Sequence, residues 1–332
     1  MEPRRAFAIV LTVALCIGLQ SAPVRANPLD QPAADDGSQL VALEPEAATA
    51  VMQAKPYKGT GLRTAGALIA EGVILEQPDM AAISALKPLA GADSIESVIG
   101  WDTRVRVFTT TPLSARATVL IVNTTDGFFC TGFLIGSNTV ATAGHCVHSG
   151  GSAGHWYTRT GYRVYPGRNY TSSPYGSCTV KSLHSVAGWT VSKNEEYDYG
   201  AMKLNCTVGN TTGWFGFYWQ TASLTNHPSI VSGYPGDKTG TLQYTQWWGS
   251  DTIRYTTTQQ LFYNNDTYGG MSGSPVWEDK IGSPLPDSDG PYAMAIHGYG
   301  YHGSTVPHNY YNHGKRITSA AFNNYVAWKA LP

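Results

Sequence analysis

"DTYGGMSGSPVW", residues 266–277, sets one serine, Ser272, among glycines and directly behind a methionine. Glycines on both sides let the backbone turn tightly and aim its amides at one spot, so the N–H groups of Gly270 and Ser272 could form an oxyanion hole. A serine hydroxyl is a poor nucleophile unless a base takes its proton, and that base must itself be oriented. Two further stretches supply the partners. "TVATAGHCVH" (139–148) carries His145 just after a strand-like run, and "EEYDYGAMKL" (195–204) carries Asp198 at the start of another, where a carboxylate could be buried against an imidazole. A lone histidine is usually structural and a serine beside glycine is usually a turn. The weight lies in finding all three together.

Outward from these stretches, short runs rich in β-branched and aromatic residues recur between Gly, Asn, Asp and Pro turn signals: "ATVLIVNTT" (117–125), "NTVATAG" (138–144), "SIVSGYPG" (229–236). This texture is all-β. Only 317–331 reads as helix, with Phe322, Tyr325, Val326 and Lys329 at helical spacing behind Thr318 or Ser319, either of which could cap.

The chain of 332 residues is long enough to bury a substantial core, and it divides by composition. Residues 1–26 read as a secretory signal: Arg4 and Arg5 lead an apolar run from Ala6 to Leu19, too short to span a bilayer, with small residues before a cleavage point at Ala26. Residues 27–96 carry ten acidic and four basic residues and read as a propeptide; beyond Glu96, 15 basic face 12 acidic residues in Gly-, Thr-, Ser- and Tyr-rich sequence. Residues 97–332 are the expected functional domain. No basic run or amphipathic tract calls for nucleic acid or a membrane, and an extracellular monomer is expected. Setting Cys16 aside with the signal leaves Cys130, Cys146, Cys178 and Cys206, an even set in an exported chain, which favours two disulfides with three possible pairings.

In "TAGHC", "DYGAMKL" and "GMSGSP", in the order His, Asp, Ser, the chain resembles the chymotrypsin-like serine proteases. With Ser97-Val98-Ile99-Gly100, "VYPGRN", "SGYPGDK" and "DTYGGMSGSPV" it is more similar still to the bacterial glutamyl endopeptidases, including those secreted by bacilli. The resemblance covers essentially all of 97–332 and implies protein or peptide substrates. It implies two antiparallel β-barrels of the chymotrypsin type with the site between them and a C-terminal helix, and it places base, orienting acid and nucleophile on His145, Asp198 and Ser272. It also implies a Cys130–Cys146 bridge, which leaves Cys178 with Cys206, a pair that departs from the bacillus enzymes.

Two specificities compete. In trypsin-like members an aspartate six residues before the nucleophile attracts Arg or Lys, and Asp266 occupies that count. Against it, His297 in "AMAIHGYG" falls where glutamyl endopeptidases hold a substrate carboxylate, with Thr267 as hydroxyl partner. A buried carboxylate needs such pairing. Met271 stands where trypsin-like zymogens carry the aspartate that pairs with the new N-terminus, so that activation route is closed. The resemblance instead brings the amine of Ser97, released by a cut after Glu96, to the pocket. Gly298, Tyr299 and Gly300 would pair with the substrate backbone, and Tyr299 either closes the pocket or is ordinary surface. A non-catalytic binding module on the same fold is the competing class.

Only Glu195, Glu196 and Glu278 follow residue 96, against five glutamates in 27–96, which fits a Glu-cleaving enzyme that resists its own activity. His302, His308 and His313 lack the i, i+4 spacing of a helical zinc pair and read as a solvated loop; no metal or cofactor is expected. The Asn-x-Thr sequons at Asn123 and Asn265 read as chance.

Overall fold

The β-branched runs become strands in two sheets that each close on themselves in the computed structural model, which describes residues 27–38, 51–61, 70–77, 79–89, 97–279 and 290–332. In the first sheet the antiparallel order is Val180–Val186, Gly200–Leu204, Thr139–Thr142, Phe128–Leu134, Thr118–Asn123 and Tyr162–Pro166. A bridge between Val164 and Cys178 brings the last strand back to the first. The second sheet runs Pro275–Glu278, Pro228–Gly233, Trp247–Thr256, Gln260–Tyr263, Asn312–Arg316 and Tyr292–Tyr299, and the last of these pairs with the first. Closure removes the open edges that a sheet would otherwise present.

Strand burial explains the sequence texture. Thr118–Asn123 and Phe128–Leu134 are buried at every position, because one face fills the barrel and the other is covered by neighbouring segments. Val119, Ile121, Phe133, Val140, Leu183 and Met202 fill the first interior, while Leu261, Tyr263, Val276 and Met294 lie in the second. Met271 packs among that second group with no exposure, so an apolar core takes the place of an ion pair there. The C-terminal helix, Ser319–Ala330, is capped by Thr318, whose side chain accepts from the Ala321 amide. It drives Phe322, Tyr325 and Trp328 against the first barrel and against Phe217.

The two disulfides are Cys130–Cys146 and Cys178–Cys206. The second closes a separation of 28 residues at a buried site between the strand starting at Val180 and the one ending at Leu204. Chain-entropy arguments assign such a loop about 3–4 kcal/mol. Replacing Cys178 and Cys206 by alanine should therefore lower the unfolding free energy of a Ser272→Ala protein, taken from its urea transition, by about that amount; an unchanged value would mean that the barrel holds these strands without the bridge.

Pieces of the acidic N-terminal region join both sheets. Pro32–Ala34 runs antiparallel to Val180–Val186, Met52–Ala54 antiparallel to Gly216–Trp219, and Lys87–Pro88 parallel to Phe128–Leu134. Asp30 is buried beside Tyr199, and its backbone oxygen accepts from Asn324 of the C-terminal helix. The signal reading of 1–26 and the cut after Glu96 lie outside the described residues. Asn123 and Asn265 are both buried, with their side chains hydrogen-bonded inside the protein, which leaves neither accessible to a glycan.

Candidate active site

Antiparallel pairing sets Thr142 opposite Gly200. His145, three residues after one strand position, and Asp198, two residues before the other, therefore leave the sheet at the same end. Each follows or sits in a single tight turn, Gly144–Cys146 and Glu195–Tyr197. The Asp198 carboxylate reaches both the backbone N–H of His145, at 2.7 Å, and the ring Nδ1, at 2.6 Å. A carboxylate can only accept, so Nδ1 carries the proton and Nε2 keeps its lone pair. The hydroxyl of Tyr299 donates to the same carboxylate. Tyr299 thus neither closes the pocket nor lies free on the surface; its side chain supports Asp198. His145, Asp198 and Ser272 are all essentially buried.

Ser272 enters from the second barrel, and Thr131 of the first joins the two. The Thr131 amide donates to the Ser272 oxygen at 2.9 Å, and its hydroxyl donates to the oxygen of Gly270 at 2.8 Å. The same hydroxyl accepts from the Tyr234 amide, and the Thr131 oxygen accepts from Thr142. One buried threonine thereby locks the serine turn to the strand that leads to His145. Gly270 and Gly273 hold φ of 98° and 86°, and a Cβ would stand 2.4 Å from the Phe129 ring at the first and 2.1 Å from the Thr131 oxygen at the second. The turn requires glycine at both positions.

His297 is fully buried on the strand Tyr292–Tyr299, where its Nδ1 lies 2.7 Å from the Tyr263 hydroxyl. Backbone bonds tie it to the serine turn, from Gly273 N–H to His297 O and from His297 N–H to Ser274 O. Gly298 follows at a shift of register against the strand Asn312–Arg316, beyond which Tyr299 pairs with His313. Thr267 is buried, and its amide donates to the oxygen of Ser97 at 3.1 Å. Asn312 donates to that same oxygen at 2.6 Å.

Asp266, the residue at the count of the Arg/Lys pocket, is buried and hydrogen-bonded to the N-terminal segment. One carboxylate oxygen accepts from the Ile99 amide at 2.7 Å, and the other accepts from the amide and the hydroxyl of Thr103 at 2.7 and 2.6 Å. Both oxygens of the acid thus bind the segment beginning at Ser97. Next to it, Arg104 is held by both Asp102 and Asp237, and hydrogen bonds from Arg104 depress the Asp102 carboxyl well below its usual range.

The histidine loop also differs from expectation. His302 and His308 are partly exposed, but His313 is fully buried, and all three approach Glu195. Burial drives the His313 imidazole down to about 4. Residue spacing did not reveal this meeting because Glu195 comes from the other barrel. Thr131, Tyr263 and Asn312 likewise carried no local signal; each is an ordinary residue of a strand.

Three comparisons with known proteins agree with this geometry. The family pattern described as Trypsin matches residues 105–322. The chain is 44% identical over 242 residues to a glutamyl endopeptidase of Bacillus licheniformis, covering 73% of this chain and 72% of the relative. It is 38% identical over 337 residues to a Bacillus subtilis protein named extracellular metalloprotease, covering 98% and 97%. Among solved structures, a Glu endopeptidase in complex with MPD superposes with a TM-score of 0.58 at 28% identity, over 70% of this chain and all of that one. Two closed β-barrels, a Ser–His–Asp grouping at their junction and these relationships together establish the chain as a serine endopeptidase of the trypsin family, akin to the bacterial glutamyl endopeptidases.

Proposed function

We propose that this endopeptidase cleaves on the carboxyl side of glutamate, through an acyl-enzyme, and is made as an exported precursor cut after Glu96. His145 Nε2 takes the proton of the Ser272 hydroxyl as its oxygen attacks the scissile carbonyl, and the amides of Gly270 and Ser272 receive the oxyanion. The imidazolium, held by Asp198, returns the proton to the leaving amine; water then repeats the sequence and releases the acid. Gly298 and Gly300 hold the substrate backbone.

The observation that carries the glutamate reading is the pairing of a fully buried His297 with an Asp266 already occupied by backbone amides. In the tautomer in which the Tyr263 hydroxyl donates to Nδ1, His297 would present an Nε2–H, and Thr267 contributes a buried hydroxyl. These are groups that compensate a desolvated carboxylate. Ser97, held beside Thr267, would bring a new positive amine to the same place once the preceding bond is cut. The three glutamates after residue 96 fit self-resistance: Glu278 is buried, and Glu195 and Glu196 are partly so.

The test is a cut-site map: a denatured protein of known sequence is incubated with the mature enzyme and with its Ser272→Ala variant, and the new termini are read by mass spectrometry. Cuts should follow glutamate and vanish in the variant. Cuts following Arg or Lys would overturn the reading.

A further inference from the structure

Glu195, His302, His308 and His313 converge in one cluster where the two barrels meet. The carboxylate oxygens of Glu195 lie 3.2 Å from His302 Nε2, 3.1 Å from His308 Nε2 and 3.7 Å from His313 Nε2. Those of Glu195, His308 and His313 form a set of ligand atoms all within 4.8 Å of one another. Four donors around a tetrahedral zinc ion with bonds near 2.0–2.1 Å stand about 3.3 Å apart, so centring an ion here takes a rotation of the side chains and the release of the 3.1 Å contact between His308 Nε2 and Gln260 Oε1. We propose that this cluster is a zinc site, with Glu195, His308 and His313 as ligands and His302 or water in the fourth position.

Two features favour a cation over a simple ion pair. The Nδ1 of His302 lies 3.1 Å from the oxygen of Gly300, which can only accept, so the ring proton of neutral His302 sits on Nδ1. Its Nε2 then faces a carboxylate oxygen 3.2 Å away, a contact that takes either a second ring proton or a cation between the two. A backbone carbonyl on the far nitrogen is also the usual support of a metal-bound imidazole. The second feature is His313. It is fully buried, and neither of its ring nitrogens has a hydrogen-bond partner among the described residues. The other grouping of ligand types, Cys130, Cys146 and His145, has its sulfurs joined in a disulfide and offers no thiolate.

The site is positioned to brace the reaction centre without touching substrate. The Asp198 amide donates to the oxygen of Glu195 at 3.1 Å, closing the turn on which Asp198 sits. Tyr299 stacks on His313 with centroids 5.4 Å apart and donates its hydroxyl to Asp198. A bound ion would tie the loop after Gly300 to that turn, fixing both the substrate edge and the orienting acid. Zinc therefore acts here as a clamp between the barrels.

The full-length Ser272→Ala protein, which cannot digest itself, is stripped with a chelator, dialysed and titrated with zinc chloride by calorimetry, with thermal melts in parallel. One zinc per chain should bind, and at a hundredfold excess over Kd the melting temperature should rise by about 5 °C or more. Glu195→Gln and His308→Ala should each weaken binding by at least about tenfold while leaving the metal-free melt in place, since both side chains are partly exposed. His145→Ala should bind as before. Absence of uptake, uptake indifferent to both substitutions, or uptake abolished by His145→Ala would each overturn the site. None of these readouts depends on peptide cleavage, so failure here leaves the glutamate reading untouched.

Discussion

Replacing Ser272 by alanine is expected to lower kcat for peptide hydrolysis by about a millionfold, His145→Ala by a similar amount, and Asp198→Asn by about ten-thousandfold. The size follows from the geometry. In the proposed mechanism Ser272 cannot attack without a base, and His145, the base proposed for it, is held through both its backbone N–H and its Nδ1 by one buried carboxylate. With an amide at 198, one of these two contacts sets donor against donor or lets the ring take the opposite tautomer, so the lone pair leaves Nε2. The double variant Ser272→Ala/His145→Ala should be no slower than either single one, because the two groups act as a unit. Tyr299→Phe separates orientation from chemistry. It removes one hydrogen bond to a charged acceptor, an interaction usually contributing about 1.5–3 kcal/mol, and should slow acylation roughly tenfold while leaving KM unchanged. Labelling by a serine-directed fluorophosphonate tests the set: absent with alanine at 272, slowed with phenylalanine at 299. Full labelling of Ser272→Ala would place the nucleophile elsewhere.

What the chain disclosed before folding depended on how local each feature was. His145, Asp198 and Ser272 each sit inside a short stretch with its own turn signal, so their types and order could be read directly. The strands could be recognised from β-branched runs, and the C-terminal helix from its spacing and its Thr318 cap. Asp266 shows the opposite case. Counting back from the nucleophile gives its position but not the direction of its carboxylate, which depends on Ile99 and Thr103, more than 160 residues away in sequence. Thr131 and Tyr263 were hidden for a related reason: a polar residue in a strand has two faces to choose from, and only closure of the barrels sets one toward the serine turn and the other toward His297. The meeting of Glu195 with His308 and His313 needs the pairing of His313 opposite Phe262 and the docking of one barrel on the other. No spacing rule reaches across that distance.

Specificity offers the second large effect. His297→Ala should lower kcat/KM for cleavage after glutamate by about a thousandfold, within the roughly 2–5 kcal/mol range for truncating one partner of a buried charge pair, while the fluorophosphonate titre stays constant. The ring can be removed without moving Ser272, because the bonds joining the two segments are between backbone atoms, Gly273 N–H to His297 O and His297 N–H to Ser274 O. Cleavage after an uncharged residue such as Gln should change little, so the preference collapses instead of the activity. Asp266→Asn reaches the pocket by a different route. Three donors converge on its two oxygens, and an amide would turn its own N–H toward one of them. The segment from Ile99 to Thr103 would loosen, Ser97 would lose its place beside Thr267, and glutamate preference should fall with it. Cleavage after Arg should not change in either variant, because both carboxylate oxygens of Asp266 are already bound to Ile99 and Thr103. A panel of peptides differing only in Glu, Gln or Arg before the cut decides the matter: loss of Arg cleavage on Asp266→Asn would return the pocket to Asp266, and unchanged Glu preference on His297→Ala would remove the imidazole from it.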